Sequence, residues 1–300
     1  MNNKLSDEVE LSLVDNDENL KLEVNGPIRR VFNLFFIPLL NTLPKNFKHV
    51  IKKTNKAASV VIENATNHKA LEVLYSKGEL FSIKKVSDTV FKYVWFNMSN
   101  SKAVRNRLKF VKRELRDYLK TIVDTNKNIE IISIASGSSR AIIDTVKEGY
   151  YPKNATLTIT FLDKDEKAIN YSKELSKSIE HLPVRLNWIN TTVGTFLKSS
   201  ISNKYDIVEI VGLLDYFTDE KVVDTFSGIH SILVDGGVVI TANINHNLEE
   251  KFVGRIIDWN MIYRSVKSLS GLVEQAGFKK EKMKYFYEPL MIHGIVVAKK

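Results

Sequence analysis

The second half of the chain alternates between two hydrophobic patterns. Short runs rich in β-branched residues are typical of buried strands, and the stretches between them repeat apolar residues every three or four positions, as amphipathic helices do. Such alternation predicts a parallel sheet with right-handed crossovers and helices on both faces. The predicted strands are 130–135, 156–162, 185–190, 205–211 and 237–242, and the predicted helices are 140–148, 166–178, 219–233 and 265–275.

Two more strand-like runs follow the last of these helices. They cover 282–287 and 293–298 with no helix between them, which predicts an antiparallel hairpin at the sheet edge. The predicted fold class is therefore α/β, with a Rossmann-like, seven-stranded, mostly parallel sheet that ends in an antiparallel C-terminal hairpin. We assign this domain to residues 128–300.

The first 127 residues follow a different pattern, which predicts a helical subdomain before the sheet. Residues 27–43 are apolar and partly helical, and residues 45–77 fit one or two helices. We divide this part into an acidic flexible tail, 1–25, and a basic helical cap, 26–127. The clearest helical periodicity follows Ser101, a predicted N-cap. Its apolar face consists of Val104, Leu108, Val111, Leu115, Leu119 and Ile122.

The net charge of +9 is concentrated in the predicted cap. Residues 1–25 hold seven acidic and two basic residues, 26–130 hold 21 basic and eight acidic, and 131–300 hold 21 basic and 20 acidic. A basic helix face can neutralise the phosphates of nucleic acid, but such a face is most often solvated surface, which we favour because no nucleic-acid module is present. The basic side of the helix after Ser101 carries Arg105, Arg107, Lys109, Lys112, Arg113, Arg116 and Lys120.

Composition excludes several classes of protein. The chain has 44% hydrophobic and 26% charged residues, which are ordinary globular values, and no apolar run approaches the roughly 18–20 residues of a membrane span. The absence of cysteine excludes disulfides and thiolate zinc sites, and the six histidines show no metal-ligand spacing. The polar, acidic N-terminal stretch is not typical of a signal peptide, so we expect a cytoplasmic protein without a metal.

One apolar stretch leaves two structural interpretations open. In residues 28–40, Arg29 and Arg30 stand beside several aromatic and aliphatic residues. Such a stretch can lie on an anionic membrane surface. We expect it to be buried against the main domain instead.

Candidate chemistry lies at three predicted strand ends. In a doubly wound sheet, ligands bind beyond the carboxyl ends of the strands. The turn 135–140 (Ala-Ser-Gly-Ser-Ser-Arg) has only small side chains before its arginine, so a ligand can approach the backbone and the next helix N-terminus. Asp163 ends the next strand, where a carboxylate can accept both hydroxyls of a ribose. Residues 212–216 (Gly-Leu-Leu-Asp-Tyr) follow the fourth strand and are predicted to form a pocket wall.

With these features, residues 129–299 resemble a class I S-adenosylmethionine-dependent methyltransferase. The usual signature is Asp-x-Gly-x-Gly-x-Gly, and residues 133–139 read Ser-Ile-Ala-Ser-Gly-Ser-Ser, which keeps Gly137 and lacks the acid. The resemblance implies S-adenosyl-L-methionine as cofactor, with Asp163 on the ribose and Lys164 against the adenine. It places Asn190 or Thr192 near the adenine amino group.

A narrower resemblance is to bacterial methyltransferases that carry a helical N-terminal extension. Four motifs agree in order: Arg105 and Arg107 before the first strand, Ser-Gly-x-x-Arg at 136–140, Gly-Leu-x-Asp-Tyr at 212–216, and Trp-x-x-x-Tyr-Arg at 259–264. The resemblance implies substrate contacts by Arg105, Tyr216, Trp259, Tyr263 and Arg264. The implied cofactor residues are Ala135, Ser136, Gly137, Ser138, Arg140, Asp163, Lys164, Asn190, Thr192, Glu209 and Gly212.

Several of these residues have an alternative, structural interpretation. Glu209, within a buried strand, either faces the cofactor or pairs with an arginine such as Arg140, because an unpaired buried carboxylate is costly. The element at 259–264 either covers the substrate or packs as an aromatic anchor. Methyl transfer demands no nucleophile–base pair, so the catalytic residue stays unknown. The candidates are Asp215, Tyr216, His246 and Tyr263.

The sequence therefore predicts a methyltransferase that acts on a small-molecule acceptor. Three alternatives stay open: a non-catalytic or degenerate S-adenosylmethionine-binding module, a dinucleotide-binding oxidoreductase, and a nucleic-acid methyltransferase that uses the basic cap. The missing acid and glycines favour the first of these alternatives. The antiparallel hairpin and the missing Gly-x-Gly disfavour the second.

Overall fold

The computed structural model describes residues 10–54, 56–65, 67–77, 93, 95–122, 128–152, 156–199 and 204–300. The chain forms two compact units. Unit 1 comprises Met1–Arg107, Ile244–Tyr263 and Tyr287–His293, and unit 2 comprises Leu108–Asn243, Arg264–Phe286 and Gly294–Lys300. The predicted domain boundary at 127/128 adjoins 123–127, which lie outside the described residues, so the domain limits stay predictions.

The described helices and strands follow one another in an order that matches the alternation of patterns. The helices are α1 (Pro27–Thr42), α2 (Phe47–Thr54), α3 (Lys56–Glu63), α4 (His68–Tyr75), α5 (Ser99–Ile122), α6 (Arg140–Lys147), α7 (Glu166–Ser176), α8 (Val193–Ser199), α9 (Asp219–Ile232), α10 (Glu250–Ile256) and α11 (Val266–Gln275). The strands are β1 (Asn128–Ile134), β2 (Thr156–Asp163), β3 (Val184–Asn190), β4 (Tyr205–Val211), β5 (Leu233–Ile244), β6 (Met283–Tyr287) and β7 (His293–Lys299).

The seven strands form one sheet in the order β3-β2-β1-β4-β5-β7-β6. The pairs β1–β2, β1–β4, β2–β3 and β4–β5 are parallel, and the C-terminal pair is antiparallel. The predicted Rossmann-like fold is therefore confirmed. In β1, Ile129, Ile131 and Ile132 are all fully buried, as expected for a central strand covered on both faces. The order reverses between β1 and β4, which places the switch point of the sheet there.

The structure corrects the predicted start of the long helix. Helix α5 begins at Ser99 and not after Ser101, whose hydroxyl donates to the carbonyl of Trp95 at 2.9 Å. Its first amides are satisfied from far along the chain, because the Glu249 carboxylate accepts from the backbone N–H groups of Ser99 (2.7 Å) and Asn100 (2.9 Å). A carboxylate at a helix N-terminus also complements the helix dipole. Because Glu249 is 150 residues away in the sequence, no local pattern predicts this cap.

The predicted solvated face of this helix is largely buried or paired. Arg105, Arg107 and Arg113 are only 3–7% exposed, so the expectation of solvated surface is wrong for them. Arg113 also stacks on the Phe110 ring, 4.7 Å from its centre. Three of the other basic side chains meet acids in unit 2. These pairs are Lys112–Glu148 (2.5 Å), Arg116–Asp117 (3.2 Å) and Lys120–Asp117 (4.0 Å).

Unit 1 contains α1, which is continuous through Pro38. Its inner face carries the buried residues Asn33 and Ile37, but its outer face is apolar and exposed, so the expectation that 28–40 is buried is wrong for that face. None of the described helices is both long enough and apolar enough to cross a membrane. Three helices, α2 to α4, cover 47–75 where the pattern predicted one or two.

The predicted acidic tail makes specific contacts where the structure describes it. Val14 forms a parallel bridge with Tyr287, and the amide of Asp15 donates to the Tyr287 carbonyl at 2.9 Å. Glu23 pairs with Arg105 at 2.6 Å. These contacts concern residues 14–23, whereas residues 1–9 lie outside the described part of the chain.

A buried histidine in unit 1 predicts a specific pH dependence of stability. Burial, with a smaller contribution from Arg107, holds the pKa of His293 well below its usual value, and both ring nitrogens lack a hydrogen-bond partner among the described residues. The lowered pKa means that the folded protein excludes a proton that the unfolded chain binds below pH ~6.5. The stability contributed by neutral His293 is therefore present above that pH and lost as the pH falls below it.

We expect the free energy of unfolding of wild type, relative to that of His293→Leu, to fall by about 1 kcal/mol when the pH is lowered from 7.5 to 5.5. Urea unfolding of both proteins at the two pH values measures this difference. Burial also raises the pKa of the neighbouring Glu288, so the ionisation of Glu288 changes stability in the opposite direction as the pH rises. Wild type and variant are compared at each pH because both carry Glu288. An equal difference at both pH values would show that His293 is not held neutral.

Candidate cofactor site

The turn after β1 has an unusual backbone. Ala135, Gly137 and Ser139 all have positive φ angles, 52°, 54° and 57°, and two of these three residues are not glycine. Positive φ is uncommon outside glycine and is concentrated at functional sites, where surrounding contacts hold the strain. The amide of Ser136 donates to the Leu162 carbonyl of β2 at 2.9 Å, which fixes the turn to the neighbouring strand. The predicted turn of small residues is thus a tightly wound loop at the switch point.

Two serine hydroxyls in this turn are buried without a hydrogen-bond partner among the described residues. They belong to Ser136 and Ser139. Buried hydroxyls are normally hydrogen-bonded, so an orphaned pair in a strained turn fits a polar ligand that supplies the missing partners. The small side chains also leave the backbone accessible. These features agree with the binding of the polar amino-acid portion of S-adenosylmethionine.

Asp163, at the end of β2, is tied to this turn. Its Oδ2 accepts from the Gly137 amide and its Oδ1 from the Asp165 amide, both at 2.9 Å. Because each carboxylate oxygen has two lone pairs, both oxygens keep acceptor capacity for ribose hydroxyls. Asp163 therefore connects the turn to the predicted ribose position, and the residues present fit the cofactor.

Glu209 lies beside the position where the family signature has its acid. In the parallel register of β1 and β4, Ser133 stands opposite Glu209, and its hydroxyl hydrogen-bonds to Oε2 of the carboxylate. Both side chains are at least nine-tenths buried. A carboxylate thus stands next to the strand end whose own acid is replaced by serine. Arg140, the alternative partner named from the sequence, lies 3.9 Å from Asp144.

The remaining predicted adenine-side residues lie around the end of β2. The Asn190 amide donates to the backbone carbonyl of Asp163 at 3.0 Å, and Asn190 and Lys164 are exposed. Thr192 accepts from the Thr195 amide at 3.2 Å, so it caps α8. The structure therefore places Asn190 next to Asp163. The contact that it shows for Thr192 is the cap of α8.

The 212–216 segment after β4 is held by Arg264. Gly212 has φ 85°, Asp215 is buried and Tyr216 is 36% exposed. Arg264 is buried, and its guanidinium donates to the carbonyls of Leu214 and Phe217, to the Asn243 side chain and to Asp219. The predicted substrate contact of Arg264 stays untested. Its observed contacts order the loop that carries Asp215 and Tyr216.

Other predicted substrate and catalytic residues belong to unit 1. Arg105 is buried and donates to both Glu23 oxygens (2.6 and 2.8 Å) and to two backbone carbonyls, those of Leu74 and Phe96. This network has the character of a structural anchor, because it uses the whole guanidinium fork within the protein.

The aromatic element of unit 1 has both packed and exposed members. Trp259 packs on an apolar cluster of unit 1, as the anchor interpretation predicts. His246 stacks on Tyr263 with ring centres 5.5 Å apart and lies 2.9 Å from Glu250. The His246 side chain is mostly exposed, and its role as a general base stays a prediction.

A cavity of about 450 Å³ lies within unit 1, and no sequence motif points to it. Its volume is typical of sites for small organic ligands. Polar side chains from α1 and the 245–249 loop line one part, including Asn33, whose buried Oδ1 lacks a partner among the described residues. Within the described ranges, no cluster of three or more His, Asp or Glu residues has the arrangement of a metal site.

Two contacts cannot be predicted from local patterns, because one depends on strand register and the other joins residues that are far apart in the sequence. Ser133 is not among the site residues predicted from the sequence, although the alignment of β1 with β4 places it opposite Glu209. Glu249 was not selected either, because its partners at the start of α5 are far away in sequence. Neither contact follows from local spacing.

The fold is that of a methyltransferase family. Residues 85–300 match the model of a family described as "Putative methyltransferase", and the chain belongs to this family. The resemblance to class I S-adenosylmethionine-dependent methyltransferases is thereby confirmed. A search of curated proteins gave no match.

Solved structures share the fold at low sequence identity. One, from Bordetella parapertussis and described as a possible exported protein, has 16% identity and a TM-score of 0.62, over 78% of this chain and 79% of that chain. Magnesium protoporphyrin IX methyltransferase from Synechocystis PCC 6803, with bound SAH, has 13% identity and a TM-score of 0.51, over 76% and 96%. The carbon methyltransferase CurJ has 12% identity and a TM-score of 0.52, over 81% and 66%. At these identities the likeness shows the fold.

Proposed function

We propose that this protein is an active S-adenosylmethionine-dependent methyltransferase with a small-molecule acceptor. The observation that carries the proposal is the strained turn 135–139, whose Gly137 amide is fixed by Asp163 and whose serine hydroxyls lack partners among the described residues. The bound SAH of the Synechocystis neighbour, a fold relative, supports the choice of cofactor.

The residues of this chain then act mainly by binding and orientation. S-adenosylmethionine supplies an activated methyl group on a sulfonium, so its acceptor needs no covalent help from the protein. Asp163 holds the ribose hydroxyls, and the turn 135–139 binds the amino-acid portion through the hydroxyls of Ser136 and Ser139. Glu209, beside Ser133, offers negative charge for a cationic amino group. Fixing the methyl donor in this way converts the reaction into an oriented, nearly unimolecular step.

The pairing of the basic helix supports a small-molecule acceptor over nucleic acid. Lys112, Arg116 and Lys120 each have a carboxylate within 4.0 Å in unit 2. Paired cations release fewer counterions when they approach phosphates, so they contribute less to nucleic-acid affinity. The charge of these three side chains is therefore partly offset within the protein, with Arg116 and Lys120 sharing Asp117.

A nucleotide panel tests the proposal directly. Isothermal titration with S-adenosylmethionine, S-adenosylhomocysteine, NAD and NADP is expected to show binding of the first two only. Binding of NAD or NADP alone would support an oxidoreductase. Binding of S-adenosylmethionine without methyl transfer to any compound of a fractionated cell extract would support a non-catalytic module.

The turn itself is tested with two matched glycine variants. Gly137→Val places a branched side chain where the cofactor is expected to approach the backbone, and it is expected to abolish S-adenosylmethionine binding in titration calorimetry. Gly149→Val is the control, because Gly149 also has positive φ (90°) in unit 2 and has open space around it. Both variants are expected to lose roughly 1–2 kcal/mol of stability from backbone strain. Normal cofactor affinity in Gly137→Val would move the site away from this turn.

A further inference from the structure

The outer face of α1 is apolar and exposed. Five large side chains lie on it, and they are between 43% and 88% exposed. At 100° per residue they fall within an arc of about 100°, so they form one continuous stripe along the helix. We call this set the α1 stripe: Ile28, Val31, Phe32, Phe35 and Leu39.

The opposite face of the same helix packs against the rest of unit 1. Ile37 is 1% exposed, and the Asn33 amide donates to the Ser99 hydroxyl at 3.3 Å. The Asn41 side chain donates to the Leu248 carbonyl at 3.0 Å. These contacts fix the rotation of the helix, so the stripe is held outward. An amphipathic helix normally turns its apolar face inward, and an outward apolar stripe marks an interaction surface.

The charge of the chain segment that carries the stripe indicates the chemistry of its partner. Between Glu23 and Glu63 the chain carries seven lysines and arginines and no aspartate or glutamate. Two of these cations are paired, Lys48 with Asp258 and Lys52 with Glu63. Three others, Lys45, Lys53 and Lys56, are exposed and make no ion pair within the described residues. A partner that offers both apolar groups and negative charge complements this basic, partly apolar segment.

We propose that α1 is a membrane-surface helix, which binds anionic phospholipid with the α1 stripe in the acyl boundary. An interfacial helix combines an apolar face with nearby basic residues, and its binding adds buried apolar area to attraction by anionic headgroups. Phe32 and Phe35 supply the aromatic rings that favour the headgroup boundary. Arg29 lies beside the stripe, with its guanidinium 5.1 Å from the centre of the Phe32 ring and Nη2 3.5 Å from the Asn97 carbonyl oxygen.

Vesicle sedimentation tests this proposal with the full-length protein. We expect wild type to bind vesicles of phosphatidylglycerol and phosphatidylcholine, to bind vesicles of phosphatidylcholine alone at least about tenfold more weakly, and to dissociate at high salt. Failure to bind the anionic vesicles would overturn the proposal, and it would leave the cofactor site untouched.

Two matched leucines test the role of the stripe. Leu39, on the stripe, is 63% exposed, and Leu34, on the cavity side of the same helix, is 61% exposed. Leu39→Ser combined with Phe35→Ser is expected to weaken vesicle binding at least about tenfold, whereas Leu34→Ser is expected to change it less than about twofold. An equal loss in Leu34→Ser would contradict binding by the stripe. All three side chains are exposed, so circular dichroism is expected to show unchanged folding.

The charge contribution is tested with two triple variants of equal net charge. The triple variant Lys45→Gln, Lys53→Gln, Lys56→Gln is expected to lose binding to anionic vesicles at least about tenfold. Its control replaces three exposed lysines of unit 2, Lys267, Lys279 and Lys280, by glutamine and is expected to bind like wild type. Equal losses in both triple variants would indicate attraction by net charge and not by this surface. Concentration-dependent dimerisation, lost in the Phe35→Ser, Leu39→Ser protein, would assign the stripe to a second copy and overturn the lipid proposal.

Discussion

Asp163→Ala is expected to lower the affinity for S-adenosylmethionine at least about tenfold. The substitution removes the carboxylate proposed for the ribose hydroxyls, and two charge-assisted hydrogen bonds of this kind amount to about 2–4 kcal/mol. It also releases the Gly137 amide, which the Asp163 carboxylate holds at 2.9 Å, so the turn loses a constraint at the same time. Isothermal titration of the folded variant measures the effect.

The control for this experiment is the carboxylate two residues further on. Asp165 accepts from the Lys167 amide at 2.9 Å and caps α7, without a contact to the turn. Asp165→Ala is expected to cost about 1 kcal/mol of stability, as the loss of a helix cap does, and to leave cofactor affinity unchanged. If Asp163→Ala bound S-adenosylmethionine as tightly as wild type, the ribose would have to be held by other residues.

Arg264→Met is expected to be the most destabilising of the substitutions considered. The methionine side chain fills a similar volume but removes the donors to the Leu214 and Phe217 carbonyls and to the Asn243 side chain. Buried acceptors without donors cost about 1–3 kcal/mol each, so we expect a total loss of about 3–5 kcal/mol and a melting temperature lower by roughly 10 °C. Thermal and urea unfolding measure both values.

Two companion variants separate the hydrogen bonds from the charge. Arg264→Lys keeps the charge but loses the planar fork, so it is expected to retain less than half of the stability that Arg264 contributes. Asp219→Asn removes an exposed partner and is expected to cost less than about 1 kcal/mol, because exposed ion pairs contribute little. A purely substrate-binding role for Arg264 would give reduced turnover with unchanged stability in all three variants.

The arrangement of strands and helices was predictable from the sequence because burial imposes a period on it. Strands covered on both faces need continuous runs such as 205–211, and helices packed on one side need apolar residues every three or four positions. The same reasoning located the turn 135–140 and Asp163, because parallel strands bring their carboxyl ends to one edge of the sheet. The methyltransferase resemblance rested on these positions, and the family match confirms it.

Only the tertiary structure decided which partners the polar residues have. The Ser133 hydroxyl meets Glu209 because β1 and β4 are aligned across 76 residues of chain, and Glu249 caps α5 across 150. The sequence shows that Arg105 and Arg264 are charged, but it does not show whether their guanidinium groups contact a substrate or backbone carbonyls. Hydrogen bonds depend on distances of a few tenths of an ångström, which a linear pattern does not contain. The exposure of the α1 stripe was likewise decided by the tertiary structure. The sequence contains the periodicity of the stripe, but the direction that the stripe faces depends on what packs against the opposite side of the helix.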